Sequence, residues 1–299
     1  MLQPRTGRLK VEHITVAIAD LAPALVGTRI VQLSDFHYDG LRLSDRLLEQ
    51  AIAAANAAEP DLIVLTGDFV TYESAPVQVL APRLRSLRSR TGVFASLGNH
   101  DYWHGVIKPF IAESLAEAGI HVLRNQVAYP LGEAIALVGL GDLRSREFRP
   151  EAVLDTLPPT TPRLVLSHNP DTAETLQQWR VDLQLAGHTH GGQVILPGLG
   201  ALPAYVPFLR RITPPCLSWL PYMKRGGVAG VRHWEWGHGF HRIGQNQLYV
   251  NRGLGTYLPG RLGCPPEVTV LTLVPAVPGD NAPAKKSPRS FRGLARPSN

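Results

Sequence analysis

The stretch Ile30-Val31-Gln32-Leu33-Ser34-Asp35-Phe36-His37 decides how this chain is read. A short strand-like run passes almost directly into a polar Asp-x-His, so the chain buries its backbone and then presents chemistry at the strand end. The same succession recurs four times. Residues 62–65 lead to Gly67-Asp68, 93–97 to Gly98-Asn99-His100-Asp101, 164–166 to Ser167-His168-Asn169-Pro170, and 183–186 to Gly187-His188-Thr189-His190. Residues 135–138 form a further strand. Leu- and Ala-rich stretches at 43–59, 77–87, 106–118 and 172–179 have helical character, while 249–250 and 268–274 close the pattern as strands. This alternation predicts an α/β domain with central strands buried on both faces. In such sheets the carboxyl ends of the strands form the functional edge, so the five polar clusters converge on one crevice.

The residue types in those clusters are carboxylate, carboxamide and imidazole, with no thiolate. That set suits a pair of divalent cations such as Mn, Fe, Zn or Ni and argues against a structural zinc knot. Asp68, with two oxygens, could bridge cations roughly 3.5 to 4 Å apart, the spacing of two-metal hydrolysis. Glycines before Asp68, Asn99 and His188 allow sharp turning and close packing of ligands. Two dications would bring about +4, from which Asp35, Asp68 and one hydroxide take about 3, leaving about +1 to meet a bound phosphate. An anionic phosphoester gains from that field; a neutral peptide or glycoside gains less. Taken singly, Asp35-Phe36-His37 also reads as a turn cap beside a surface histidine, and Gly67-Asp68 and Gly98-Asn99 as plain turns. The run Gly187-His188-Thr189-His190-Gly191-Gly192 is more specific, because two imidazoles between glycines make a poor core and a good clamp.

In order and spelling these motifs resemble the calcineurin-like metallophosphoesterase superfamily, over about residues 11–273. The strings Gln32-Leu33-Ser34-Asp35-Phe36-His37, Gly187-His188-Thr189-His190-Gly191-Gly192-Gln193, Tyr249-Val250-Asn251-Arg252-Gly253-Leu254-Gly255 and Pro266-Glu267-Val268 are similar to its bacterial YaeI/YkuE-type phosphodiesterase branch. The resemblance implies an α/β fold of four layers, the αββα metallophosphoesterase sandwich. It implies Asp35, His37, Asp68 and His190 around one metal ion, and Asp68, Asn99, His168 and His188 around the other. His100 would sit over the substrate phosphate, with Asn99 and Arg252 also on the substrate. The expected reaction is hydrolysis of a phosphodiester, phosphomonoester or pyrophosphate bond by a hydroxide shared between the metals, with His100 protonating the leaving oxygen. Asp101 reads equally as a carboxylate orienting His100 and as a helix N-cap. Relatives in the superfamily hydrolyse UDP-2,3-diacylglucosamine, which makes a lipid-linked phosphoester the leading specific substrate. The competing classes are a nuclease or nucleotide phosphodiesterase, and a non-catalytic metal-binding scaffold.

Charge is distributed unevenly. Residues 1–204 carry 17 basic and 21 acidic residues, 205–274 carry 8 and 2, and 275–299 carry 5 and 1, so the formal +6 of the chain belongs to its last third. The phosphoesterase domain is expected over 1–274, with an aromatic and basic insertion at about 204–236 and a disordered basic tail at 275–299. The insertion interleaves Tyr205, Phe208, Leu209, Trp219, Leu220, Tyr222, Met223, Trp234 and Trp236 with Arg210, Arg211, Lys224, Arg225 and Arg232, and no acidic residue falls between 205 and 234. Three readings fit it: a substrate lid packed on the sandwich, contact with an anionic membrane surface, and single-stranded nucleic acid, which ranks below the others. His238 and His241 lie on the approach to the final strands and read as structural.

Cys216 and Cys264 fit neither a metal motif nor a disulfide framework, and they receive no role. Glu12 and His13 interrupt any apolar run of signal-peptide length, and no stretch reaches the 18 or so apolar residues of a membrane span. A cytoplasmic monomer is expected, peripheral at the membrane if the insertion binds lipid.

Overall fold

The computed structural model describes residues 4–103, 106–107, 109–213 and 231–276. In chain order the first half comprises β1 (Lys10–Ile18), β2 (Arg29–Leu33), α1 (Asp45–Ala57), β3 (Leu62–Thr66), α2 (Val77–Leu84), β4 (Val93–Ser96), the short pair β5 (Tyr102–Trp103) and β6 (Val106–Ile107), α3 (Pro109–Glu117), β7 (Ile120–Val122), β8 (Gln126–Ala128) and β9 (Ala136–Gly139). There follow α4 (Glu151–Leu154), β10 (Arg163–Leu166), α5 (Thr172–Leu176), β11 (Leu183–Ala186), the hairpin β12 (Ile195–Leu196) and β13 (Gly200–Ala201), α6 (Val206–Ile212), β14 (Gly239–Ile243), β15 (Asn246–Val250) and β16 (Glu267–Pro275).

Period-two alternation sorts the side chains of each strand between two faces, and both faces are buried. In β3, Leu62 and Val64 join one apolar cluster while Ile63 and Leu65 join another. In β10, Leu164 and Leu166 enter the same cluster as Leu62 and Val64, whereas Val165 faces α4 and α5 with Leu154 and Leu176. Three apolar layers therefore separate four layers of structure: helices, sheet, sheet, helices. Both sheets have six strands and are mixed, ordered β1-β16-β2-β3-β4-β7 and β14-β15-β11-β10-β9-β8. Strands β2, β3, β4 and β7 run parallel in the first, and β15, β11, β10 and β9 in the second.

Local chemistry sets the helix limits. Ser44 caps α1 by accepting from the Leu47 amide, and Leu47, Leu48, Ala51, Ile52 and Ala55 form its buried stripe. Full burial of Leu48 alone is worth about 1.5–3 kcal/mol. Helix α2 stops at Leu84, short of the expected 87. The helix expected from 106 begins only at Pro109, because residues 106–107 pair as β6 with β5 instead. Strand β1 was not anticipated: Glu12 and His13 break its apolar run, but the strand lies at a sheet edge where only alternate residues such as Val16 and Ile18 are buried. Strand β16 runs on through Pro275, whose neighbour Ala276 donates its amide to Ile18 O at 3.0 Å, so the regular structure passes the expected limit at 274. The rest of the expected tail lies outside the described residues. Among the described residues no helix is long and apolar enough to cross a membrane.

Candidate metal centre

The strand ends deliver their side chains through unusual backbone. Asp35, His37, Asp68, His188 and His190 all take the left-handed region, with φ of 52°, 43°, 56°, 69° and 51°. Residues other than glycine seldom do so, and each such position costs on the order of 1–3 kcal/mol. Backbone bonds from neighbouring loops hold them there: Asp35 N donates to Gly67 O at 3.0 Å, His37 N to Asp68 O at 2.9 Å, and Gly255 N to Asp35 O at 2.7 Å. Two glycines are required by crowding. Gly67 has φ +88°, and a Cβ there would meet the backbone of Gly98; a Cβ on Gly187 would meet Ser34 and Asp35 side chains.

Two groups of donor atoms result, one of Asp35, His37 and His190 and one of Asp68, His168 and His188. In the first, His37 Nε2 lies 3.1 Å from His190 Nε2, and His190 Nε2 lies 3.4 Å from Asp35 Oδ1. In the second, His168 Nε2 lies 3.3 Å from His188 Nδ1 and 3.2 Å from Asn99 Oδ1. Asp68 Oδ2 stands between the groups, 3.3 Å from His37 Nε2 and 3.2 Å from His168 Nε2. Its other oxygen accepts from the His100 amide at 2.8 Å, which fixes the carboxylate plane. A ring nitrogen of His100 joins His37 and Asp68 in a third overlapping group. Asp35, His37, Asp68, His168 and His190 are buried, while Asn99, His100 and His188 are half-buried.

The hydrogen-bond roles test whether cations fit. His168 Nδ1 lies 2.6 Å from Thr66 O and His190 Nδ1 lies 3.0 Å from Gly255 O. A carbonyl only accepts, so both Nδ1 atoms carry the proton and both Nε2 atoms present a lone pair. Those lone pairs face the oxygens of Asp68, Asn99 and Asp35, acceptor against acceptor. Only an added proton or a cation between them resolves such a set, and divalent cations that favour nitrogen and oxygen donors match it. Without metal, burial lowers His168, but the carboxylates of Asp68, Asp35 and Asp142 together outweigh it and push the imidazole up to about 10. Asp68 itself, against burial that raises it, is held well below the usual carboxylate range by His168 and His100. Burial raises Asp35 to about 6 and lowers His37 to about 4. Burial and then the neighbouring His37 hold His190 well below the ordinary histidine value.

Two expected site residues are placed elsewhere. Asp101 neither orients His100 nor caps a helix. Its carboxylate accepts from the amides of Gly98 at 2.8 Å, Asp68 at 2.9 Å and Phe69 at 3.0 Å, and His100 Nδ1 lies 2.7 Å from Thr71 O instead. The turn that carries Asp101 runs into β5, so no helix start is available to cap. Asp101 is thus bonded to the backbone of Asp68. Arg252 is buried and its charge is consumed: Nε donates to Glu267 at 2.5 Å and Nη2 to Glu12 at 2.5 Å. It braces the backbone beneath Gly191, where its Cγ would lie 2.9 Å from an added Cβ, and its Nε and Nη2 are turned to carboxylates.

One residue was missed. The Tyr257 hydroxyl lies 3.0 Å from His37 Nδ1, the ring nitrogen away from the donor cluster, so a side chain does for His37 what main-chain carbonyls do for His168 and His190. Nothing in its local sequence marks it, since the pairing spans 220 residues. Of the aromatic and basic insertion, Trp219, Leu220, Tyr222, Met223, Lys224 and Arg225 lie outside the described residues. Its flanks are partly structural: Trp236 packs against the apolar cluster that holds Ala186, Leu248 and Val250, Tyr205 bonds Leu199 O, and Asp171 accepts the amides of Arg232 and His233. Phe208 on α6 stays exposed. His241 Nε2 lies 2.9 Å from His238 O, in keeping with a structural role.

Comparison with known proteins agrees with this geometry. The calcineurin-like phosphoesterase family is matched over residues 28–192, which carry all the donor atoms described above. The chain is 36% identical to phosphodiesterase YaeI of Escherichia coli over 255 residues, covering 82% of each chain. It is 37% identical to the metallophosphoesterase YkuE of Bacillus subtilis, covering 83% of this chain and 79% of that one. It is 30% identical to the UDP-2,3-diacylglucosamine pyrophosphatase LpxG of Chlamydia trachomatis, covering 83% and 84%. Strand-end carboxylates and imidazoles converging on a buried cation site, at this level of similarity over this much of the chain, make one conclusion: the chain belongs to the calcineurin-like phosphoesterase family and is a metal-dependent phosphoric ester hydrolase.

Proposed function

We propose that the enzyme hydrolyses a phosphodiester or pyrophosphate bond at a dinuclear centre, with Asp35, His37, Asp68 and His190 around one cation and Asp68, Asn99, His168 and His188 around the other. The observation that carries this reading is the position of Asp68 Oδ2, nearly equidistant from His37 Nε2 and His168 Nε2. Divalent cations held there supply charge stabilisation for the phosphoryl oxygens and activate water for attack.

The remaining roles belong to the protein. His100 has its Nδ1 committed to Thr71 O, so the nitrogen it offers to substrate is Nε2. A proton held at Nε2 stabilises a phosphoryl oxygen or passes to the leaving oxygen. Asn99 keeps its Oδ1 toward His168 and leaves its amide nitrogen to orient a phosphoryl oxygen. Asp101 holds the Asp68 and Phe69 amides, and so holds the bridging carboxylate in register.

A lipid-linked substrate such as UDP-2,3-diacylglucosamine is the finer reading. It is supported by the similarity to LpxG and by exposed Leu199, Leu258 and Leu262 on loops and Phe208 on α6, all beyond His190. Leu262 bonds back to the 193–195 segment, and Leu199 accepts from Tyr205 at the start of α6, whose last turn carries Arg210 and Arg211. Apolar residues beside cations and without local acid suit the headgroup region of an anionic membrane. Metal analysis of Asp68→Ala, together with hydrolysis of a chromogenic phosphodiester, tests the dinuclear reading. The variant loses metal from both positions, and a variant that stays fully loaded refutes the bridge. For the lipid reading, deletion of 205–232 lowers turnover on the lipid-linked substrate more than on a soluble aryl phosphodiester; equal loss on both removes it.

A further inference from the structure

A ring of contacts leads out from the donor cluster to a cation with no role in the reading above. His100 Nδ1 lies 2.7 Å from Thr71 O; Thr71 Oγ1 donates to Asp39 Oδ2 at 3.2 Å; Asp39 pairs with Arg42. The Arg42 guanidinium then lies 4.5 Å from the centre of the Tyr257 ring, whose hydroxyl lies 3.0 Å from His37 Nδ1, and the His37 ring returns to His100 at 4.8 Å. On its other side Arg42 lies 5.4 Å from the ring of Tyr72, and that ring is 6.0 Å from His100. Arg42 is thus one layer out from the half-buried rim of the centre, between two tyrosines that both border His100.

Its hydrogen-bonding capacity is largely unspent. Of the five N–H donors of the guanidinium, only Nη1 has a partner among the described residues, and Nε is buried without one. Asp39 does not need Arg42 for satisfaction, because its carboxylate already accepts from the Leu41 and Arg42 amides and from Thr71. An arginine serving only as a turn staple would be free to swing into water. This one is held at a fixed height by two aromatic faces and by the bond from Thr256 N to its own carbonyl at 2.9 Å. A planar fork held in this way beside a phosphoryl site matches the oxygens of a second phosphate.

We propose that Arg42 is a specificity-determining residue that binds a second anionic group flanking the scissile phosphorus, as in a pyrophosphate-linked substrate. The proposal rests on the phosphoesterase reading of the centre. On this proposal the site would favour a pyrophosphate diester over a diester with one neutral flank.

The test uses the metal-loaded full chain and two nucleotide probes, each measured as a competitor of bis(4-nitrophenyl) phosphate hydrolysis. UDP-glucose carries two phosphates, and the 4-nitrophenyl ester of thymidine 5′-phosphate carries one. Arg42→Gln weakens UDP-glucose binding roughly 10- to 100-fold, the scale of a charge-assisted phosphate contact, and leaves the single-phosphate probe within about twofold. Arg42→Lys, which retains the charge without the fork, falls between wild type and Arg42→Gln for UDP-glucose and carries the test should Arg42→Gln not fold. Equal weakening of both probes, unchanged binding of both, or a wild type that UDP-glucose does not inhibit overturns the proposal. Failure of the underlying reading looks different: wild-type protein then hydrolyses no aryl phosphodiester with any added metal.

Discussion

Replacing Asp101 with Asn separates a backbone anchor from a partner of the catalytic histidine. The carboxylate of Asp101 is buried and binds three amides, Oδ2 taking Gly98 and Asp68 and Oδ1 taking Phe69. Asn keeps one oxygen, which serves the two amides best, and turns its NH2 group toward Phe69 N, donor against donor. One charge-assisted bond is lost, the other two lose their charge, and a buried N–H is left unmet. Together these cost about 2–4 kcal/mol. For a domain of this size that is a fall of roughly 5–15 °C in melting temperature. Burial and then the Asp68 charge raise Asp101 to about 7 in the metal-free protein, so there the neutral Asn also sheds that penalty above pH 7 and the net loss is smaller. The comparison belongs on metal-loaded protein, where cations would offset the Asp68 charge. Differential scanning calorimetry at saturating metal reads the stability. Chelator competition on the same variant reads the second consequence: Asp68, freed from its amide anchor, holds metal less tightly. A variant that melts within about 0.5 kcal/mol of wild type and loads metal normally refutes the reasoning. If that variant also lost turnover, the idea that Asp101 orients His100 would return.

Three further outcomes follow from the geometry. Tyr257→Phe removes only the hydroxyl facing His37 Nδ1 and weakens metal binding by about 10- to 100-fold in chelator competition, with the melting temperature of the metal-free protein nearly unchanged; unchanged affinity removes Tyr257 as a positioning residue. His100→Ala lowers kcat toward an aryl phosphodiester by on the order of a hundredfold or more while metal content stays intact, and full activity excludes His100 from the chemistry. The raised His168 fixes a pH dependence. Folded metal-free protein holds a proton there up to about 10, against 6.5 for the free side chain, so its contribution to metal-free stability is complete below 6.5 and is lost as pH rises through about 10. Cations compete with that proton, so metal affinity rises with pH and binding near neutrality releases about one proton from this site. Calorimetry in buffers of different ionisation enthalpy measures the release, and its loss in His168→Asn is the check.

Much of the centre is legible in contiguous residues. Gly187-His188-Thr189-His190 and Asp35-Phe36-His37 announce donors at strand ends, because a strand that enters a core and ends in polar residues has few other uses for them. The Val, Ile and Leu runs of β2, β3, β10 and β11 likewise announce burial on both faces. Edge strands were harder. In β1 only one face is covered and in β14 coverage is partial, so Lys10-Val11-Glu12-His13 and Gly239-Phe240-His241-Arg242 carry no continuous apolar run. Tyr257 and Arg42 carry no local signal at all, because their meaning lies in rings and nitrogens that reach them from other loops.

By itself the sequence determined the strand succession, the donor types at each strand end and their suitability for divalent cations, since each depends on residues within a few positions of one another. Tertiary structure alone decided which partner each polar group takes. Asp101 looked available to His100 one residue away, yet its oxygens lie against the amides of Gly98, Asp68 and Phe69. Arg252 looked available to substrate, yet Glu267 and Glu12, 15 and 240 positions away, neutralise it in the core. The reason is the steep distance dependence of hydrogen bonds and ion pairs in a buried setting: a charged side chain commits to whichever groups the packed fold brings within about 3 Å, and chain separation has no part in that choice.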